Sequence, residues 1–191
     1  GLFDFSTIGD GSPVKCNVFV GKPTAITGGE FNGTVFNNSG ILGGTFNGEV
    51  ENMGPGTIND GTFKNSVKNN GMIENGAFHK AVENNGMIEN GTFNDAVKNN
   101  STINDGAFNG KVENNSTIND GAFNGKVENT ASGTINDGTF HGKVENNSVI
   151  NSGTFQGPVR LDAGGNDWQW VAVTPATPNA DGKQHEECAD C

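Results

Sequence analysis

The sequence predicts an all-β fold, a triangular β-solenoid (a single-stranded β-helix) of about nine 15-residue coils with capping strands at both ends. Three observations predict it. Four residue types recur in fixed phase along most of the chain, and their apolar members fit neither the face of a helix nor a long strand. Residues typical of turns separate the apolar positions. We therefore expect each coil to have three short sides, each pointing one large side chain toward a common axis.

The repeat consists of four columns that are filled in nine copies. Each Ile is followed by Gly after three residues, by Phe after five and by Val after nine. The step between copies is 15 residues, except for two steps of 17 that add residues around 53–56 and 130–133. Both insertions fall between a Val and the next Ile, so we expect that segment to be a corner. The nine isoleucines are Ile26, Ile41, Ile58, Ile73, Ile88, Ile103, Ile118, Ile135 and Ile150.

One repeat illustrates the assignment of sides and corners. Within residues 102–116 the sides centre on Ile103, Phe108 and Val112, and Asp-Gly, Gly and Asn-Asn-Ser segments separate them. Glycine allows a positive φ, and Asn and Asp bond to nearby backbone, so these segments are typical of turns. The Gly three residues after each Ile is predicted to turn a corner that other residues turn only with strain. One coil buries too little apolar surface to fold alone, so stability must come from neighbouring coils.

The ends depart from the repeat. Residues 1–25 are predicted to form an N-terminal capping coil, with Cys16 buried in the Phe column and Val20 in the Val column. Residues 26–160 are the solenoid repeats. Residues 161–173, which include Trp168 and Trp170, are predicted to cap the C-terminal end. Residues 174–191 are predicted to be a linker and tail, the start of a truncated following module.

Composition and charge exclude several classes of function. The chain has 191 residues, of which only 32% are hydrophobic, and its net charge is −11. This acidic balance argues against nucleic acid and anionic membranes as partners, because both select for Lys and Arg. No run of about 18 apolar residues is present, so membrane insertion is not expected.

A row of asparagines also recurs in phase, and we expect it to face outward. The favoured interpretation is a structural ladder of stacked amides that satisfies the backbone at one corner. Sugar binding is the alternative, but it needs aromatic platforms, and Phe36 is the one obvious exposed aromatic of the coil faces. The row is Asn37, Asn52, Asn69, Asn84, Asn99, Asn114, Asn129 and Asn146.

Charged residues form two further rows. One corner carries Asp60, Asp105, Asp120 and Asp137, which suit a hard cation, although simple Asp-Gly turns explain them better. The Val side carries interleaved charges, typical of a solvated sheet surface, with a partner-binding face as the alternative. These charges are Lys111, Lys126 and Lys143 on one side of Val and Glu113, Glu128 and Glu145 on the other. Ice binding needs a flat, regular array of threonines. Met72 and Met87 interrupt the threonine row before the isoleucines, so ice binding is disfavoured. The threonines of this row are Thr57, Thr102, Thr117 and Thr134.

The sequence predicts neither catalysis nor a cofactor. His79 and His141 are isolated, and no Ser–His–Asp or Cys–His constellation is apparent. A polysaccharide-active enzyme is the least favoured alternative, because the corners are too short to build a substrate groove. His185, Cys188 and Cys191 have zinc-ligand spacing and are weak candidates for a metal site. A structural zinc site takes four ligands, so we expect no bound metal.

Residues 44–50 (GTFNGEV) and 133–140 (GTINDGTF) resemble the Gly-Thr-Ile and Gly-Thr-Phe-x-Gly-x-Val arrays of large bacterial cell-surface, adhesin-like proteins. The resemblance spans roughly residues 26–160. It implies an extracellular location at the cell surface and a non-enzymatic role as a rigid spacer or adhesion module. The resemblance identifies neither a ligand nor an active residue. The alternative is a glycan-binding module that uses one solenoid face, so the expected partner is an unidentified surface or host ligand, with carbohydrate as the candidate class.

Overall fold

The three predicted sides of the repeat are three parallel β-sheets in the computed structural model, which describes residues 13–161. We name them the Val face, the Ile face and the Phe face after their inward column. The Val face has ten strands and the other two have nine each, so about ten coils stack as a β-solenoid. All 28 strands are two or three residues long, and the described part contains no helix.

The strands of the Val face are Val18–Val20, Val35–Asn37, Val50–Asn52, Val67–Asn69, Val82–Asn84, Val97–Asn99, Val112–Asn114, Val127–Asn129, Val144–Asn146 and Val159–Leu161. Those of the Ile face are Ala25–Ile26, Gly40–Ile41, Thr57–Ile58, Met72–Ile73, Met87–Ile88, Thr102–Ile103, Thr117–Ile118, Thr134–Ile135 and Val149–Ile150. Those of the Phe face are Glu30–Phe31, Thr45–Phe46, Thr62–Phe63, Ala77–Phe78, Thr92–Phe93, Ala107–Phe108, Ala122–Phe123, Thr139–Phe140 and Thr154–Phe155.

The register between coils stacks identical residues in the core, as predicted. Phe93 pairs with Phe108, for example, and the same in-register pairing runs through the Ile and Val columns. The Ile, Phe and Val side chains of the repeats are at most 2% exposed up to Val144. Neighbouring phenylalanine rings from Phe31 to Phe155 are stacked, with centroids 4.7–5.1 Å apart. The core is therefore three continuous apolar columns, which one coil alone could not bury.

The predicted corner glycines all adopt the left-handed region. The nine glycines of this column have φ between 104° and 148°, and no other residue type in the described range has a positive φ. At Gly106 a Cβ would also lie 3.1 Å from the carbonyl oxygen of Gly91 and 3.2 Å from the ring of Phe108. Backbone conformation and the tight phenylalanine stack therefore both favour glycine here.

The longer coils place their extra residues at one corner, between the Val and Ile faces. The Gly56 N–H donates to the carbonyl oxygen of Met53 at 2.8 Å, and the Gly133 N–H donates to that of Thr130 at 2.9 Å. The strands on either side keep their register, which confirms the predicted corner. The insertions bulge without displacing a core residue.

The predicted register of the N-terminal coil is wrong. Val18 pairs with Val35 and Val14 bridges to Phe31, so this coil is 17 residues long rather than 15. Val14 therefore takes the Phe column, and Cys16 is exposed. The physical reason is a third insertion at the same corner, where the Thr24 N–H donates to the carbonyl oxygen of Gly21. Val20 pairs with Asn37 and so belongs to the Asn row instead of the Val column.

Several predicted features lie outside the described residues. They are Trp168 and Trp170 of the C-terminal cap, and His185, Cys188 and Cys191 of the tail. Within residues 13–161, no helix is long and apolar enough to cross a membrane.

Candidate functional site

The asparagine row does not face outward as predicted but lies inside the solenoid. Strands of the Val face are three residues long, so alternation along a strand turns both the first and the third residue inward. The first is Val and the third is Asn. Seven of these asparagines are fully buried, and Asn146 is 7% exposed. We call the eight side chains the inner Asn ladder.

Amide hydrogen bonds run through the inner Asn ladder in one direction. The side-chain nitrogen of each asparagine donates to the side-chain oxygen of the next, at 2.6–2.8 Å over all seven steps. Asn99 also donates to the carbonyl oxygens of Ser101 and Thr117, at 2.9 and 3.0 Å. The ladder therefore satisfies buried carbonyl groups at the corner, which supports its structural interpretation. Its polar groups are engaged internally and are covered from solvent.

The aspartate corner consists of turns that satisfy themselves. A side-chain oxygen of Asp105 accepts a hydrogen bond from the N–H of Gly106 at 2.6 Å. The same bond forms at the other three aspartates and at Asn90. This geometry supports the Asp-Gly turn over a cation site. Within residues 13–161, no group of three or more His, Cys, Asp or Glu side chains could hold a metal ion.

Outer amide rows on the Phe face, after the isoleucines and next to the inner Asn ladder were not predicted from the sequence. On the Phe face, Asn109 donates to Asn94 at 2.8 Å and Asn124 donates to Asn109 at 2.8 Å. A similar row follows the isoleucines, with Asn119 donating to Asn104 at 2.7 Å. The signal was present, because Asn recurs directly after Phe and after Ile in several copies.

The two described histidines belong to the row that follows the phenylalanines. His79 lies 3.4 Å from the amide nitrogen of Asn94, and His141 lies 2.9 Å from the amide oxygen of Gln156. Both side chains are exposed on the Phe face. Their contacts are with neutral amides, as expected for members of a polar row.

The C-terminal half of the Val face carries an ion-pair lattice. Lys111 contacts Glu128 at 2.6 Å, and Glu145 contacts Lys126 at 2.5 Å and Lys143 at 2.7 Å. Hydrogen bonds from these two lysines lower the pKa of Glu145 to about 2. The hydrogen bond to Glu128 raises the pKa of Lys111. The interleaved charges thus neutralise each other between adjacent coils.

The N-terminal half of the Val face differs in both shape and charge. Phe19 and Phe36 are paired outward neighbours, and Phe19 is 54% exposed. Beyond Phe36 the same outward column continues with Glu51, Lys68 and Glu83. None of these three charged side chains makes a hydrogen bond or ion pair with any residue in the range 13–161. This half of the face therefore presents unengaged charge next to exposed aromatic surface.

A shallow depression of about 440 Å³ lies over this half of the face, and we call it the N-terminal groove. Phe36 forms part of its wall, and Glu51, Lys68 and Glu83 contribute charged groups. Ser66 and Ala81, the residues before Val67 and Val82, are small and leave the floor open, whereas later coils have lysines at this position. The sequence indicated Phe36 as an exposed aromatic side chain, and in the structure it is half-buried; the groove itself was not predicted.

Comparison of the chain with protein-family models, with curated proteins and with solved structures found no match.

Proposed function

We propose that this chain is a non-enzymatic, rigid spacer module of a bacterial cell-surface protein. One observation carries the proposal: three columns of buried Ile, Phe and Val continue from coil to coil without interruption. Each coil is therefore fixed to its neighbours by core packing and by strands in all three sheets. A stack of this kind keeps a constant length under thermal motion, as a spacer requires.

The topology supports the same role. Within residues 13–161, the first strand, Val18–Val20, and the last, Val159–Leu161, are the two edge strands of the ten-stranded sheet. The chain thus advances along the axis by one strand spacing, about 4.8 Å, for every coil. A segment that precedes this unit and one that follows it are held apart by the whole length of the stack.

The absence of catalysis is part of the proposal. The polar rows of the described part are mostly engaged with each other or with the backbone, as in the inner Asn ladder and the aspartate turns. Such groups are not available to bind and polarise a substrate. The short corners also build no wall around a reacting bond.

Distance measurements test the spacer role. Spin labels at cysteines replacing Lys68 and Glu128, four coils apart, are expected to give a narrow distribution centred at about 19 Å, in a chain whose three native cysteines are serines. Three further copies of residues 102–116 inserted between them should move that distance to about 34 Å with the same width. A broad distribution, or an insertion that does not lengthen the distance, would contradict a rigid spacer.

Surface location needs a separate test. Brief protease treatment of intact cells of the source bacterium is expected to release peptides of this chain, whereas a cytoplasmic marker protein stays protected. Antibodies to the folded chain should label the same cells without permeabilisation. Peptides that appear only after lysis would contradict the proposed location.

A further inference from the structure

We propose that the N-terminal groove of the Val face is a binding site for a neutral carbohydrate chain. The proposal goes beyond the spacer role, because a rod of constant length requires no exposed aromatic surface. It starts from the contrast between the two halves of one face. The C-terminal half is closed by ion pairs, and the N-terminal half holds Phe19, Phe36 and charged groups without a partner in the described range.

The aromatic side chains supply the apolar part of sugar recognition. Phe19 and Phe36 occupy the same outward column on adjacent strands, so their side chains emerge about 4.8 Å apart along the axis. A pyranose ring presents a flat patch of C–H groups that packs against such a surface. The exposed fraction of Phe19, 54%, is the largest among the large hydrophobic side chains of the described residues. In water this surface is stabilised when a ligand covers it.

The groove supplies the polar part. Glu51, Lys68 and Glu83 follow Phe36 at one residue per coil, and their side chains point outward. Carboxylates accept hydrogen bonds from sugar hydroxyls, and the ammonium group donates to hydroxyl oxygens. Ser66, which donates to Glu49 at 3.3 Å, adds a hydroxyl within the same depression. A chain of neutral sugars can use donors and acceptors alternately along this column.

The net charge of the N-terminal groove favours neutral over anionic ligands. The groove contains three carboxylates, Glu49, Glu51 and Glu83, against one ammonium group, that of Lys68. This excess of negative charge repels an anionic polysaccharide, so a neutral chain is the favoured occupant. A basic peptide also suits the charge, but it does not use the flat aromatic surface in the way a sugar ring does. Polylysine represents such a peptide in the binding experiment.

The experiment uses the full chain on a printed array of neutral and anionic oligosaccharides. Electrophoresis through gels containing galactomannan, xyloglucan, arabinoxylan or polygalacturonate gives a second measurement, the slowing of the chain by the polysaccharide it binds. We expect binding to at least one neutral glycan and none to polygalacturonate. Phe36→Ala should weaken that binding on the order of tenfold, because the stacking surface is lost. Phe36→Trp, which keeps an aromatic face, should preserve it.

Two matched controls separate the groove from the rest of the surface. Leu42→Ala removes an exposed apolar side chain directly after a strand of the Ile face, and Glu128→Gln changes a carboxylate of the ion-pair lattice. Both should bind like the unchanged chain, and circular dichroism should show all variants folded. Binding to no neutral glycan, binding unaffected by Phe36→Ala, or binding to polylysine alone would overturn the proposal. None of these outcomes alters the distances that test the spacer role.

Discussion

The side-chain nitrogen of Asn99 donates a hydrogen bond to the side-chain oxygen of Asn114 at 2.8 Å, and both side chains are fully buried. The two residues are one coil apart in the chain and directly paired in the Val face. A buried amide is costly unless its groups find partners, and the members of this ladder find them in adjacent coils and at the corner. The ladder therefore links coil stacking to correct closure of each corner.

Replacing one amide of the ladder by a carboxylate should destabilise the solenoid strongly. Asn99→Asp removes the donor that bonds to Ser101, Asn114 and Thr117, and leaves an acid facing those oxygens. We expect the free energy of unfolding to fall by about 3–5 kcal/mol at pH 7, as when a buried charge lacks a partner. Chemical denaturation monitored by circular dichroism measures this change.

The adjacent residue provides the control for that prediction. Asn100 also forms an amide row, with Asn85 and Asn115, but its side chain is exposed. Asn100→Asp should therefore cost less than about 1 kcal/mol, because water solvates the new charge. Equal losses of unfolding free energy at the two positions would show that burial of the inner Asn ladder does not determine its contribution to the stability of the solenoid.

Adding a methyl group at a corner glycine should be costly. Gly106 has φ of +139°, and its added Cβ would crowd the Phe108 ring and the Gly91 carbonyl oxygen. Gly106→Ala is expected to lower the free energy of unfolding by about 1–3 kcal/mol. Gly28→Ala is the matched control, because a Cβ at Gly28 would meet no atom within 4 Å. The idea fails if both substitutions shift the unfolding midpoint equally.

The ion-pair lattice should make stability depend on pH in the acidic range. The folded pKa of Glu145 is about 2, below its ordinary value of 4.5, so the unfolded chain binds a proton first as pH falls. Its contribution, no more than about 1 kcal/mol because the pair is partly exposed, is present at neutral pH and disappears between about pH 4.5 and 2.

A pair of substitutions isolates that contribution. Glu145→Gln should remove the part of the pH dependence in this window, and high salt should diminish it in the unchanged chain. Glu83→Gln changes a carboxylate of the same outward column that forms no ion pair within residues 13–161, and should leave the profile nearly unchanged. Urea unfolding at a series of pH values measures both. The same dependence of the unfolding free energy on pH in the unchanged chain and both variants would contradict the role assigned to Glu145.

Shortening a long coil at its insertion corner should be tolerated. Deleting Ala131 and Ser132, both exposed, leaves Asn-Thr-Gly-Thr, which has the length and the Asn and Gly positions of the 15-residue corner that begins at Asn84 (Asn-Asn-Gly-Met). We expect a folded protein whose stability changes by less than about 1 kcal/mol, because loop length has a small entropic effect. Deleting Asn109 and Gly110 instead should unfold the neighbouring coils, because it displaces Val112 from the core. Thermal unfolding distinguishes the two deletions.

The sequence predicts the solenoid because its core follows a strict period. Ile103, Phe108 and Val112 are large, apolar and in phase with their equivalents in every copy, so three inward columns follow directly. The Asn row was predicted as a ladder of stacked amides, but its burial was not, because a polar residue type argues for exposure. The Val-x-Asn spacing itself has the period of two that turns both ends of a three-residue strand inward.

The N-terminal register and the groove were harder to predict. Counting back by 15 residues placed Cys16 in the core, because the third insertion, in residues 21–24, precedes the first complete copy of the repeat and so changes no spacing between copies. The groove depends on small side chains at Ser66 and Ala81 beside Phe36. That combination exists only once adjacent coils are aligned side by side, so a search along the chain does not find it.

The amide bonds of the inner ladder all point from the earlier coil to the later one, so the stack has a head and a tail that differ chemically. If the solenoid were split between two coils, the last asparagine of the first fragment would have a free amide N–H donor. The first asparagine of the second fragment would have a free amide oxygen acceptor. Two identical cut surfaces would bring donor against donor or acceptor against acceptor. Separated fragments would therefore associate head to tail, in their original orientation, which gives the molecule a built-in direction of assembly.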